Sequence, residues 1–170
     1  MERLDMAAFV ATMTGQAELL AEDLADKFKE ACDLGLILLE EAEPADLAAQ
    51  KLALIVSSTY GVGEVPEPTK PVYARIKHER PDLSGLIYGV ISLGDSTYHN
   101  TFARGGQLWD DLFAKCGAWR VGDILKLDAT VPEDSLNLAS TWFETWLEAA
   151  RAQLEAPASA GGVEVSAGGR

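Results

Sequence analysis

Five short apolar runs, spaced along the chain and divided by polar loops or segments of helical periodicity, set the limits on how this sequence can fold. The runs are Ala7–Ala11, Leu34–Leu39, Leu52–Val56, Leu86–Leu93 and Val121–Leu127. Continuous apolar character over four to eight residues is what a strand needs when both faces of its sheet are covered. Leu20, Leu24, Phe28 and Ala31 recur at helical spacing from Ala17 onward. Val72, Tyr73 and Ile76 mark a helix over about Pro71–His78, and Leu108, Leu112 and Phe113 mark another over Gln107–Lys115. A last helix over Pro132–Ala150 carries Leu138, Trp142 and Trp146 at i, i+4 and i+8. The acidic EEAEPAD segment reads as a surface loop. Strands alternating with amphipathic helices predict an α/β domain: a doubly wound, five-stranded parallel sheet with helices on both faces.

Charge narrows the function. Asp and Glu number 27 against 14 Lys and Arg, a net charge of −13. Nucleic-acid binders need a basic footprint to displace counterions from phosphates, so no nucleic-acid partner is expected. An anionic membrane surface is disfavoured for the same reason, and no apolar run approaches the roughly 20 residues that span a bilayer. A basic protein partner is the natural complement. Cys32 and Cys116 have no CxxC spacing, and His78 and His99 do not cluster with them, so no metal site is expected. Two free thiols and no visible secretory signal point to a reducing, cytoplasmic setting. The folded body is expected over residues 1–150, with 151–170 an Ala/Gly/Ser-rich flexible tail whose charges cancel.

In an open doubly wound sheet, ligands bind beyond the carboxyl ends of the strands, where the strand order reverses. For the order 2-1-3-4-5, the loops that converge there follow the first, third and fourth runs. These are also the loops richest in Gly, Thr, Ser and Tyr. Thr12-Met13-Thr14-Gly15-Gln16-Ala17 leads into a helix start, where free N–H groups and the dipole favour an anion. It is neither GxxxxGK[ST] nor GxGxxG, which argues against nucleotide hydrolysis and against a dinucleotide fold. It has no Lys or Arg, so a phosphate there would rest on N–H and O–H donors alone. Ser57-Ser58-Thr59-Tyr60-Gly61-Val62-Gly63-Glu64 places an aromatic at a strand end beside two glycines. Leu93-Gly94-Asp95-Ser96-Thr97-Tyr98 supplies a second tyrosine beside glycine. Two tyrosines across a cleft would sandwich a flat ring system.

The ordered trio TMTGQAE, SSTYGVGE and SLGDSTY resembles the three cofactor loops of the flavodoxin family. The likeness is to the short-chain type, MioC-type proteins and the flavodoxin-like domains of diflavin reductases in particular. That resemblance implies bound FMN and one-electron shuttling between an NADPH-dependent reductase and an acceptor enzyme, with no substrate turnover of the protein's own. Thr12, Met13, Thr14, Gly15, Gln16 and Ala17 would hold the FMN phosphate. Ser58, Thr59, Tyr60, Gly61 and Val62 would line the inner flavin face, with Tyr60 stacked on it. Leu93, Gly94, Asp95 and Tyr98 would bound the pyrimidine edge and the outer face, with Tyr98 stacking and Asn100 and Phe102 close behind. The family usually has Phe three residues after this tyrosine; here it comes four after. Asp128, in KLDA, matches an acidic position near the flavin. Two alternatives stand beside the carrier: a small FMN-dependent quinone or nitro reductase, and an interaction module that keeps the fold without the flavin. A phosphoacceptor receiver domain is excluded by Ser57-Ser58 and Thr12-Met13, where it needs acidic residues.

Overall fold

The computed structural model describes residues 2–156. The expected tail falls largely on residues 157–170, outside the described residues. Strands β1 (Leu4–Ala11), β2 (Cys32–Leu38), β3 (Leu52–Ser57) and β4 (Ile87–Gly94) lie parallel in the order β2-β1-β3-β4. Two further short strands, β5 (Trp119–Arg120) and β6 (Leu125–Asp128), pair in turn with the two ends of β4. Helices α1 (Gln16–Lys27), α2 (Pro44–Ala48), α3 (Lys70–Glu79) and α4 (Arg104–Lys115) make the crossovers, and α5 (Pro132–Glu155) follows the last strand. The predicted doubly wound sheet of order 2-1-3-4-5 is the observed one.

Side-chain alternation along the central strands builds one core on each face. Met6, Ala8 and Val10 of β1 join Leu52, Leu54 and Val56 of β3 beneath α1 and α5. Ala7, Phe9 and Ala11 join Ala53 and Ile55 beneath α3 and α4. Every residue of β3 is buried, which is why its sequence shows no polar alternation.

Five details depart from the sequence reading. The fifth strand is not continuous. β4 advances three residues from Tyr88 to Ile91 while the partner advances five, from Arg120 to Leu125, so two surplus residues bulge outward. The bulge is held by the Trp146 indole N–H donating to the Val121 carbonyl (3.0 Å) and Arg120 Nε donating to the Gly122 carbonyl (2.9 Å). The EEAEPAD segment is not a plain loop: Leu39–Glu41 forms a 3₁₀ turn and α2 follows it. Pro44 fits its first turn, and the Asp46 carboxylate accepts the Glu43 N–H (2.7 Å). α1 ends at Lys27, so Ala31 lies in the turn before β2 and not on the helix.

On α5, Leu138 is 55% exposed, and the buried stripe is Ala139, Phe143, Trp146, Leu147 and Ala150. Steps of four residues rotate about 40° past a full turn each. A series at i, i+4, i+8 therefore drifts off one face, and only Trp146 of the three lands squarely inside. The helix also runs to Glu155, five residues past the expected end of the folded body.

The Arg120 and Asp110 side chains are both buried and paired at 2.8 Å, with the Tyr88 hydroxyl donating to Asp110 Oδ1 at 2.5 Å. This network fixes α4 against β4 and β5 and so sets where α4 begins, beside the site.

Candidate functional site

The first loop forms because β1 ends at Ala11 and the chain must turn before α1. Thr12 is buried, and its hydroxyl oxygen accepts the Gly15 N–H (2.9 Å), closing the turn. Gly15 sits at φ +90°, a left-handed conformation open to glycine, and a Cβ there would stand in open space. The first ladder bond of α1 runs from the Leu19 N–H to the Gly15 carbonyl (2.9 Å). The N–H groups of Gln16, Ala17 and Glu18 therefore precede the ladder and point out of the helix start. The positive end of the helix dipole adds to them, giving a seat for an oxyanion with no basic side chain.

The second loop is clamped on itself. Tyr60 and Glu64 exchange reciprocal backbone bonds, each 2.7 Å, and the Gly63 N–H reaches the Tyr60 carbonyl at 3.2 Å. Gly61 takes φ +56° within that five-residue turn. The loop is tied to the first because the Ser58 N–H donates to the Ala11 carbonyl (2.9 Å). Tyr60 is 36% exposed, while Val62 at the tip is 78% exposed.

The third loop is anchored through α4. The Ser92 hydroxyl donates to the Ala103 carbonyl (2.6 Å) and accepts the Gly106 N–H (2.8 Å). The Thr59 hydroxyl oxygen accepts the Gly105 N–H (2.9 Å), so its own proton remains to donate to a ligand. A Cβ on Gly105 would lie 2.1 Å from the Ser58 carbonyl oxygen, so the start of α4 packs backbone to backbone on the second loop. Within the third loop the Asp95 carboxylate accepts the Thr97 N–H (2.8 Å), so Asp95 also shapes its own turn.

The end of β6 closes the site. Asp128 accepts the Ser96 hydroxyl and the Thr130 hydroxyl (2.6 Å) and N–H (3.0 Å). Those bonds, Ser96's foremost, hold its carboxyl down to about 2, so it stays ionised through the neutral and mildly acidic range. Next door, the Ala129 N–H donates to the Gly94 carbonyl (2.7 Å), and the Gln16 side-chain amide donates to the Ala129 carbonyl (3.2 Å). The first loop, the third loop and β6 are thus laced together.

These loops surround a cavity of about 310 Å³. Met13, Thr14 and Gln16 line it from the first loop, and Ser58, Thr59, Tyr60 and Gly61 from the second. Leu93, Gly94 and Asp95 line it from the third. Ten of the expected positions are therefore brought to one wall. Thr12, Gly15 and Ala17 shape the first loop from behind or beside the wall. Val62, Tyr98, Asn100, Phe102 and Asp128 are not on it. Tyr98 is 64% exposed, because the third loop continues in successive turns from Asp95 to Arg104 and carries the ring outward. Asp128 is spent on anchoring the third loop.

Sequence reasoning missed Ala129, which lines the cavity. Its contribution is backbone, and an alanine gives no signal of that. The side-chain amide of Gln16 straps the start of α1 to Ala129, the residue after β6.

The donor set fits a phosphate monoester attached to a planar ring. Free N–H groups and threonine hydroxyls meet the anion, an aromatic ring stands on the wall, and backbone amides of Gly94 and Asp95 are available to a polar ring edge.

Comparison with known proteins agrees with this arrangement. The Flavodoxin family model matches residues 9–143. The chain is 35% identical over 150 residues to Flavodoxin YqcA of Pectobacterium carotovorum subsp. carotovorum, covering 85% of this chain and 96% of that protein. It is 31% identical over 158 residues to the NADPH sulfite reductase flavoprotein alpha-component of Mannheimia succiniciproducens, covering 92% of this chain and 26% of that one. A mutant flavodoxin from Pseudomonas aeruginosa superposes with a TM-score of 0.77 at 31% identity, covering 87% of this chain and 99% of that chain. By its fold, its three converging loops and these similarities, the chain belongs to the flavodoxin family of FMN-binding electron-transfer proteins.

Proposed function

We propose that FMN binds in the three-loop cavity and that the protein passes single electrons between a basic reductase and a basic acceptor in the cytoplasm. The observation that carries this reading is the convergence of a cation-free helix start, a clamped tyrosine loop and an amide-bearing strand end on one cavity wall. Thr12, Thr14 and the N–H groups from Gln16 to Glu18 hold the phosphate. Tyr60 stacks on the inner ring face, and Ser58, Thr59 and Gly61 complete that side. Gly94 and Asp95 meet the pyrimidine edge. The exposed ring of Tyr98 is the aromatic left for the outer face.

FMN supplies the redox chemistry when bound. The chain orients it, limits water access and sets the local charge. Gly61 lets the Tyr60–Gly61–Val62 peptide present its carbonyl to a protonated ring nitrogen. Acidic side chains oppose an added electron. One carboxylate about 10 Å away at an effective dielectric of about 40 costs roughly 0.8 kcal/mol, or about 35 mV for a one-electron couple. Asp95, Asp128 and Glu64 together thus favour a low-potential donor. The body's net negative charge steers basic partners at a salt-sensitive rate.

Anaerobic mixing with NADPH separates the carrier from the quinone or nitro reductase. The carrier reading expects no flavin bleaching by NADPH alone within minutes. Bleaching should be fast once an NADPH-dependent flavodoxin reductase is added, at a rate that falls several-fold between about 0.05 and 0.5 M salt. Direct bleaching by NADPH with turnover of a quinone would establish the reductase instead.

A further inference from the structure

Lys70, the first residue of α3, sits behind the tyrosine loop and is absent from the cavity wall. Its ammonium contacts Glu64 Oε2 at 3.1 Å and Glu67 Oε2 at 3.2 Å, and lies 5.7 Å from the centre of the Tyr60 ring. The same Glu64 side chain folds over Gly61: a Cβ on Gly61 would lie 2.9 Å from Glu64 Oε1. One cation therefore touches the aromatic ring, the acid that closes the turn and, through that acid, the Gly61 peptide. Exposed ion pairs taken singly contribute little. Here two carboxylates and a ring face converge on one ammonium, and the ring, that of Tyr60, belongs to the cavity wall.

We propose that Lys70 is a positioning residue for the flavin: it backs the Tyr60 ring from outside the cavity and pins Glu64 over Gly61. It thereby fixes the stacking surface and offsets the acids nearest the ring. This rests on Tyr60 being the inner stacking partner. Two consequences separate it from a surface ion pair. The loop should hold its shape with or without flavin because of Lys70. Removing Lys70 should also disfavour added negative charge on the flavin, since Glu64 and Glu67 would then stand uncompensated. A charge roughly 10 Å away at an effective dielectric of about 40 weakens binding of reduced FMN about fourfold more than binding of oxidised FMN. That factor is about 18 mV in the two-electron midpoint, at 29.6 mV per tenfold.

The test compares Lys70→Met and Lys70→Arg with the parent protein as FMN-loaded full chains. Lys70→Met is expected to raise the residual fluorescence of bound FMN at least twofold and lower the midpoint by about 18 mV. Lys70→Arg should keep both near the parent values. In the flavin-free chain, amide exchange at Tyr60, Gly63 and Glu64 should be at least fivefold faster in Lys70→Met. Unchanged fluorescence, midpoint and exchange in Lys70→Met would overturn the proposal. Should the parent chain fail to hold FMN, the site reading falls, and the exchange result alone still decides whether Lys70 fixes the loop.

Discussion

Gly105→Ala is expected to destabilise the protein by about 2–3 kcal/mol, the upper range for forcing volume into a packed interior, and to weaken FMN binding at least tenfold. Helix propensity points the other way, since alanine is favoured over glycine inside a helix by roughly 1 kcal/mol. The sign therefore decides between local preference and tertiary packing. The added Cβ would lie 2.1 Å from the Ser58 carbonyl oxygen, 3.0 Å from the Ser58 carbonyl carbon and 3.1 Å from Thr59 Cα. All three are backbone, so no side chain can swing away. Relief requires moving the start of α4 off the second loop, which breaks the Gly105 N–H bond to Thr59 and loosens the anchorage of the third loop. Urea denaturation and fluorescence titration with FMN measure the two effects. Gly35→Ala, where a Cβ meets nothing within 4 Å, is the control. A Gly105→Ala protein as stable as the parent would show that α4 does not hold the loops in the way described.

Thr14→Asp should abolish tight FMN binding while leaving the fold intact, because Thr14 is exposed and lines the cavity. The first loop meets an anion with N–H and hydroxyl donors and has no cation to absorb a new charge. A carboxylate about 5 Å from a phosphate charge, at an effective dielectric of about 20, costs about 3 kcal/mol, roughly a 150-fold loss. Riboflavin lacks the phosphate and serves as the internal control: its affinity should change by less than about threefold. Equal losses for FMN and riboflavin would mean that the first loop does not hold the phosphate. A loss confined to FMN would assign it that role.

The sheet is legible in the sequence because burial on both faces leaves unbroken apolar runs, as in Leu52–Val56. The three loops are legible because glycine, threonine and tyrosine concentrate where the topology makes strand ends converge. Other features leave weaker traces. The break between β5 and β6 depends on a bulge secured by Trp146 from a distant helix, so Val121–Leu127 reads as one run. The short helix α2 has a legible start in Glu43, Pro44 and Asp46, but five residues are too few for a helical period. Asp128 is conspicuous as an acid at a strand end, yet its hydrogen bonds to Ser96 and Thr130 show an anchoring role that composition does not convey. Tyr98 is conspicuous as an aromatic, but the backbone turns from Asp95 to Arg104 decide which way it faces. Types of residue were readable, and the partners each side chain chooses were not.

The central claim is that the three loops form an FMN site, and the visible spectrum of the purified chain after FMN addition and desalting tests it most directly. The account predicts close to one equivalent of retained flavin, with its fluorescence strongly quenched by stacking on Tyr60. Folded protein that emerges from desalting without flavin would contradict it.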